Sequence, residues 1–422
     1  MENVTRSSIP GIHLLKDKNF ARLFAARFIS TLGNGFGPVA LSFGVLGLKG
    51  GSPWDLSLVL ACQTLSMLLF SLFGGVLSDL FPRSRVMVVA QVIEGLAYAA
   101  LALLILAESP AIWALCLCAA LSGVCTATFS PAYVGVVKEV VDDVDLQEAN
   151  GLMKVGINVA KILGLSLGGP VVLLAGAATS LAVDSLSFVI SGVLIYFTRI
   201  SPVRAMSRQS LFQEIRLGAS GFFSRSWLWV LSIQYAVAFA CMNATAGVLG
   251  PLLAKTDLGG AASWSVITSA QAVGAVGGAV IALRVRTRRP ILVAACVTCM
   301  MAAVPFALGF GAPLLLIAFT ALAAGVAADI FEVLFFATLQ RDVPAEMISR
   351  VGSWDMLGSL SLAPLGVMLA GPAAAEFGVH TALIGFGSVV VVATGCVLLV
   401  PAVRVGRLLD EPVVEQESAQ HA

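Results

Sequence analysis

Charge is scarce in this sequence. Only 12% of its 422 residues are Asp, Glu, Lys or Arg, about half the ~25% carried by soluble globular chains. That leaves too little polar surface to cover a water-soluble particle, which excludes soluble enzymes, disordered regions, fibrous proteins and nucleic-acid binders. Neither sign dominates, since 25 basic and 24 acidic residues sum to +1. Histidine is rarer still. His13 and His421 lie outside the apolar runs and His380 stands at the very edge of the last, so Gly164-Leu165-Ser166-Leu167-Gly168 has the spacing of a hydrolase elbow without a base to serve it. No Walker phosphate loop occurs, so ATP is not the expected driver. The eight cysteines (Cys62, Cys116, Cys118, Cys125, Cys241, Cys296, Cys299 and Cys396) sit in apolar runs, where cysteine acts as a small hydrophobe. They form neither a disulfide framework nor a metal site, because the Cys296–Cys299 pair has no second pair or nearby His. Met1 to Asn19 is polar and lacks the apolar core of a removable signal, so the first apolar run is expected to target the chain to a membrane.

What fills the space is apolar: 58% hydrophobic residues and a mean hydropathy of +0.95. Apolar runs fall at about 20–48, 55–77, 86–107, 111–137, 149–176, 179–200, 227–253, 262–283, 290–309, 312–339, 349–372 and 379–401. Each is long enough to cross a bilayer as a helix, and none alternates as a barrel strand would. The fold class is therefore an all-α membrane protein with twelve transmembrane helices. Lys and Arg set its orientation. With the N-terminus inside, outer loops hold only Lys49 and Lys255, while Arg27, Lys154 and Lys161 lie within spans. The remaining basic residues fall on the inner side, which predicts a multi-pass protein of the cell membrane with both termini cytoplasmic. The expected divisions are a tail at 1–19, a six-helix bundle at 20–200, a central loop at 201–226, a second bundle at 227–403 and a tail at 404–422. Within the central loop, Leu211, Phe212, Ile215 and Gly218 have the spacing of an amphipathic surface helix, though a solvated linker with one turn fits equally.

The two halves repeat. At a constant offset of 202, Gly123 matches Gly325, Phe129 matches Phe331, Val141 matches Val343, Gly164 matches Gly366, and Gly169-Pro170 matches Gly371-Pro372. At offset 203, Gly74-Gly75 with Arg83 and Arg85 matches Gly277-Gly278 with Arg286 and Arg288. Parallel six-span repeats with a ligand site at their interface are a transporter architecture.

The stretch from Gly74 through Gly75, Asp79, Arg83 and Arg85 closely resembles the loop between the second and third helices of the major facilitator superfamily. Ala26-Arg27-Phe28-Ile29-Ser30, Asp184-Ser185-Leu186-Ser187-Phe188, and Gln340 followed by Val343-Pro344, Met347 and Ser349-Arg350-Val351 resemble its macrolide-efflux and siderophore-exporting branch. The resemblance implies two six-helix pseudo-repeat halves, alternating access, and a latch in which Gly75, Asp79, Arg83 and Arg85 dock near Asp355 in the outward-facing state. It also implies a helix-packing motif on the fifth helix, here Gly151, Gly164, Gly168 and Gly169, with Ala160 and Leu165 where that motif has Gly and Pro. Asn34 stands where related exporters often carry Asp.

Intramembrane polar residues carry the remaining signal, because a charge at a helix centre costs ~2.5 to 3.5 kcal/mol on insertion scales. Glu94, Asp329 and Glu332 are the proton-coupling candidates. Arg27, Asn34, Asn158, Lys161, Phe239 and Phe335 are candidates to line a central substrate cavity, and structural pairing of each charge is the plain alternative. The expected function is proton-coupled efflux of a small amphipathic drug or natural product by a monomer in the lipid bilayer. No enzyme activity, cofactor, metal or nucleic-acid partner is expected, with a proton gradient as driver. A siderophore or other anionic metabolite is the second substrate class, and a non-transporting membrane sensor is the alternative of another kind.

Overall fold

The computed structural model describes residues 11–107, 110–142, 145–198, 211–282, 284–285, 287–344 and 347–405, with the backbone alone at 72–80, 134, 138, 211–215, 349 and 405. Among these residues there is no strand, and twelve helical spans are long and apolar enough to cross a membrane. In order they are Lys18–Gly47, Pro53–Ser71, Arg83–Leu106, Ile112–Val137, Leu146–Ala175, Ala177–Tyr196, Ser226–Thr256, Ala261–Ala282, Pro290–Gly309, Leu314–Asp342, Arg350–Phe377 and Val379–Leu398. Local signals set several ends. The Asp17 carboxylate accepts from the backbone N–H groups of Asn19 and Phe20, each at 2.9 Å, and so caps the first span. Gly176 and Gly378, 202 positions apart, adopt left-handed φ values of 85° and 78° and join the fifth to the sixth and the eleventh to the twelfth spans through single residues. The face bearing the first and last described residues, 11 and 405, with Arg83, Arg85, Arg284, Arg288 and Arg289, is the terminal face below; Gly176 and Gly378 lie on the opposite face.

The repeat read in the sequence is a repeat of contacts. Span two packs on four, three on four and six, and one on five; correspondingly eight packs on ten, nine on ten and twelve, and seven on eleven. The two halves meet through five against eight and, symmetrically, eleven against two. Bilayer lipid is as apolar as the helices, so no hydrophobic force draws them together and close approach must come from small residues. A Cβ on Gly123 would stand 2.2 Å from the Gln63 carbonyl oxygen, and one on Gly325 2.1 Å from that of Gln271. The same pairing recurs for Gly164 against the Leu32 carbonyl (2.3 Å) and Gly366 against that of Ala240 (2.2 Å).

Four spans are less regular than their apolar runs suggest. The first, expected as one helix over about 20–48, is interrupted by a turn at Asn34–Phe36, where Gly33, Gly35, Gly37 and Pro38 crowd together. The seventh carries a π-helical turn at Thr245–Leu249, the ninth a 3-10 turn at Cys299–Ala302, and the eleventh a turn at 361–362. In the central loop a helix does form, Leu211–Phe223, and its Gly218 and Gly221 rest against Arg350, Trp354, Met347 and Val351 at the start of the eleventh span.

Replacing Gly325 by Ala should therefore lower stability by about 1–3 kcal/mol through overpacking. Gly277→Ala, which meets nothing within 4 Å, should stay within about 0.5 kcal/mol of the parent. Thermal unfolding in detergent compares the two.

Candidate functional site

A cavity of about 330 Å³ lies between the halves. The first span contributes Pro38 and Val39, the fifth Lys161 and Leu165, the eighth Trp264, Thr268 and Gln271, and the tenth Gly325, Ala328 and Asp329. Lys161 and Asp329 thus face one space from opposite halves. Lys154 and Lys161 are both near enough to act electrostatically on Asp329, as is Glu332 one helical turn away. Asn158 is half-buried between the two lysines, and Asn34 is exposed at the break in the first span.

The cavity is closed toward the opposite face. Gly169 N–H donates to Ser265 Oγ at 2.6 Å, and Ser166 Oγ lies 3.0 Å from Ser269 Oγ. Ser42 Oγ donates to the Gly247 carbonyl at 3.1 Å, and the Lys255 ammonium donates to the Leu46 carbonyl. Gly371 packs on Pro53, Trp54 and Ser57. Toward the terminal face Lys154, Val155, Glu332 and Phe336 are exposed, and among the described residues no contact between the halves there is comparable to those on the opposite face.

Glu94 does not share this space. It is 4% exposed inside the first half, and its Oε1 accepts from Thr126 Oγ1 at 3.0 Å and Ser122 Oγ at 3.3 Å. Arg27 is its electrostatic partner, and the Arg27 guanidinium lies over the Phe129 and Tyr133 rings, 5.4 and 4.9 Å from their centroids. The expected single polar cavity is therefore two sites: a cavity between the halves and a buried polar cluster within the first half. Gln63 extends that cluster by donating to Ser122 at 3.3 Å. Asp184 lies fully buried beside it, with Oδ1 accepting from Ser187 Oγ at 3.3 Å and Oδ2 without a partner. The intramembrane amides Gln63 and Gln271 were the sequence signal for these polar interiors, and a reading confined to full charges passes over them.

Neither aromatic candidate is among the residues lining this cavity. Phe239 is half-buried and stacks on Tyr235. Phe335 is 3% exposed among Trp227, Phe331 and Phe336, a packed position rather than a cavity wall.

Arg83 and Asp355 form no ion pair with each other in this conformation. Arg83 Nη1 bonds Glu139 Oε1 at 3.0 Å within the first half. Burial pushes the Glu139 carboxyl above its ordinary value, and the Arg83 charge opposes that rise. Arg85 is exposed. Asp355 accepts from Ser232 and, at 3.3 Å, from Ser359, both in the second half. The side chain of Asp79 and the whole of Arg286 lie outside the described residues, and Gly75 is described by its backbone alone, within the helix Pro53–Leu80. On the fifth span, Gly164 and Gly168 meet the first span at Leu32, Gly35 and Phe36, and Gly169 meets the eighth, whereas Gly151 has no neighbour within 4 Å.

Residues 11–418 match the family described as transmembrane secretion effectors. The chain belongs to that family of the major facilitator superfamily. The multidrug efflux pump Tap of Mycolicibacterium fortuitum is 26% identical over 411 residues, covering 92% of this chain and 97% of that protein. The enterobactin exporter EntS of Salmonella typhi is 25% identical over 408 residues, covering 94% and 95%. Among solved structures, the nucleoside transporter NupG superposes with a TM-score of 0.73 at 14% identity, covering 90% of this chain and 98% of that one. A bacterial homologue of the lysosomal transporter Spinster gives 0.70 at 13% identity, covering 92% and 98%. This secretion effector is thus a multi-pass major facilitator transporter, and its relatives are transporters, not enzymes.

If closure of the opposite face belongs to a transport cycle, fixing it should stop the cycle. In a background without native cysteines, Ser166→Cys with Ser269→Cys should form a disulfide on mild oxidation, given the 3.0 Å between the hydroxyls. Transport should cease when oxidised and return on reduction; unchanged transport by the cross-linked protein would contradict the assignment.

Proposed function

We propose that this protein is a secondary-active exporter that moves a small amphipathic drug or natural product across the cell membrane by alternating access, at the expense of a proton gradient. The observation that carries the reading is the cavity between the halves, with charges of both signs on its walls and contacts between the halves closing it toward the opposite face. The arginine-rich loops favour the cytoplasm for the terminal face, so this conformation is the one that loads from inside. Efflux-pump and exporter relatives spanning nearly the whole chain agree with the direction.

The driving step needs a carboxyl group that meets different surroundings as the protein changes sides, taking up a proton on one side and releasing it on the other. Asp329 and Glu332 meet that requirement, since rocking the halves would shut them away from the terminal face. Glu94 reaches it indirectly, through the cluster of Thr126, Ser122 and Arg27. One proton moving down ~100 mV supplies ~2.3 kcal/mol, enough for roughly 50-fold accumulation of a neutral cargo. An anionic cargo such as a siderophore is the second reading, favoured by Lys161 on the cavity wall and by Lys154 two turns away on the same helix.

Proteoliposomes with an imposed pH gradient test this. The parent should accumulate a fluorescent amphipathic dye, and at least one of Glu94→Gln, Asp329→Asn and Glu332→Gln should lose accumulation while keeping downhill exchange. Retention of gradient-driven transport by all three would remove the proton site from these residues.

A further inference from the structure

The cavity walls have a charge pattern that narrows the cargo. Lys161 on the fifth span and Asp329 on the tenth line the same space from opposite halves. Lys154 lies two turns from Lys161, ~10 Å along the helix, and Glu332 lies one turn from Asp329 on the same face. Among the described residues none of these four charges has a hydrogen bond or an ion pair. The lumen therefore carries one cation and one carboxylate on facing walls, Lys161 and Asp329, with Lys154 and Glu332 close enough to act electrostatically on Asp329, and the formal sum of the four is zero.

Closure around a cargo takes these charges out of water, where each needs an opposite partner. A cationic cargo would neutralise Asp329 and add a positive charge beside Lys161. An anionic cargo would do the reverse. A molecule with both an amine and an acid satisfies both walls at once. Between the charged side chains the lining is mostly apolar, with Trp264, Ala272, Ala275, Gly325 and Ala328 beside the polar Thr268 and Gln271, a surface that suits a ring system. The volume of about 330 Å³ is near the small end of sites for drug-sized ligands.

Building on the export reading above, we infer that the cargo is amphoteric: a small ring-bearing molecule whose acid group meets Lys161 and whose amine meets Asp329. Each contact is charge-assisted, and the two together fix the orientation of the molecule across the interface between the halves.

A matched series of three fluorescent probes tests this on the purified full-length protein. The probes are a quinolone with one secondary amine and one carboxylate, its methyl ester, which is cationic only, and its N-acetyl form, which is anionic only. Fluorescence anisotropy should show the parent quinolone binding at least about tenfold more tightly than either capped form, a difference of ~1.4 kcal/mol. Lys161→Met should erase the preference over the ester, and Asp329→Asn the preference over the N-acetyl form. Exchanging the charges, Lys161→Asp with Asp329→Lys, should retain the amphoteric preference, which guards against single variants that fail to fold. Equal binding of all three probes within about twofold, or a parent protein that prefers a singly charged probe, overturns the inference. Gradient-driven movement of a neutral dye together with equal probe binding would leave export standing and this inference refuted. Amphoteric preference without any gradient-driven movement would support the charge match and refute export.

Discussion

Backbone-to-backbone approach at a few glycines is the constraint on which the remainder of the structure depends. Lipid offers no hydrophobic reward for helix association, so twelve spans cohere only where side chains are small enough for carbonyl groups and Cα atoms to touch. Gly123 and Gly325 set span four on two and ten on eight; Gly164 and Gly366 set five on one and eleven on seven. Gly169 and Gly371 then join the halves near the opposite face. The cavity lies below these joints, and Lys161 on the fifth span and Asp329 on the tenth line it because those helices border it.

The same packing divides the buried charges by purpose. Glu94 and Arg27 are enclosed by the first half, with hydroxyls and aromatic faces supplying the partners that water would otherwise provide. Lys161, Asp329 and Glu332 have no such partners among the described residues and face the cavity or the terminal side. Satisfied charges belong to architecture or to an internal proton store; unsatisfied ones at an interface that opens are free for a cargo.

Much of this was legible in the residues. Apolar run lengths give the spans, and the offset of 202 gives the pseudo-symmetry, since glycines that recur at one offset make recurring contacts. The Lys161 and Asp329 positions follow from counting residues along each span. Other features were hidden. The break at Asn34–Phe36 is three glycines and a proline within an apolar stretch, and hydropathy averages over it. Glu94 and Asp329 both read as intramembrane acids, because depth can be counted along a helix but the direction a face points depends on its neighbours. Phe335 likewise suits a cavity wall or a core, and only the surrounding rings of Trp227, Phe331 and Phe336 decide for the core. Asp355 bonds Ser232 in this conformation, and a latch that forms in another conformation leaves no trace in this one.

The central claim is that the two halves rock about the joints near the opposite face, exposing one cavity to each side in turn. Paired spin labels in proteoliposomes measure this directly. One pair, at Gly151→Cys and Arg284→Cys, reports the terminal ends of the fifth and eighth spans; another, at Leu174→Cys and Ser263→Cys, reports their opposite ends. On adding transported cargo with a pH gradient, the first distance should shorten as the second lengthens. Distances that stay fixed, or that change in the same sense, would contradict rocking and with it the account of the cavity.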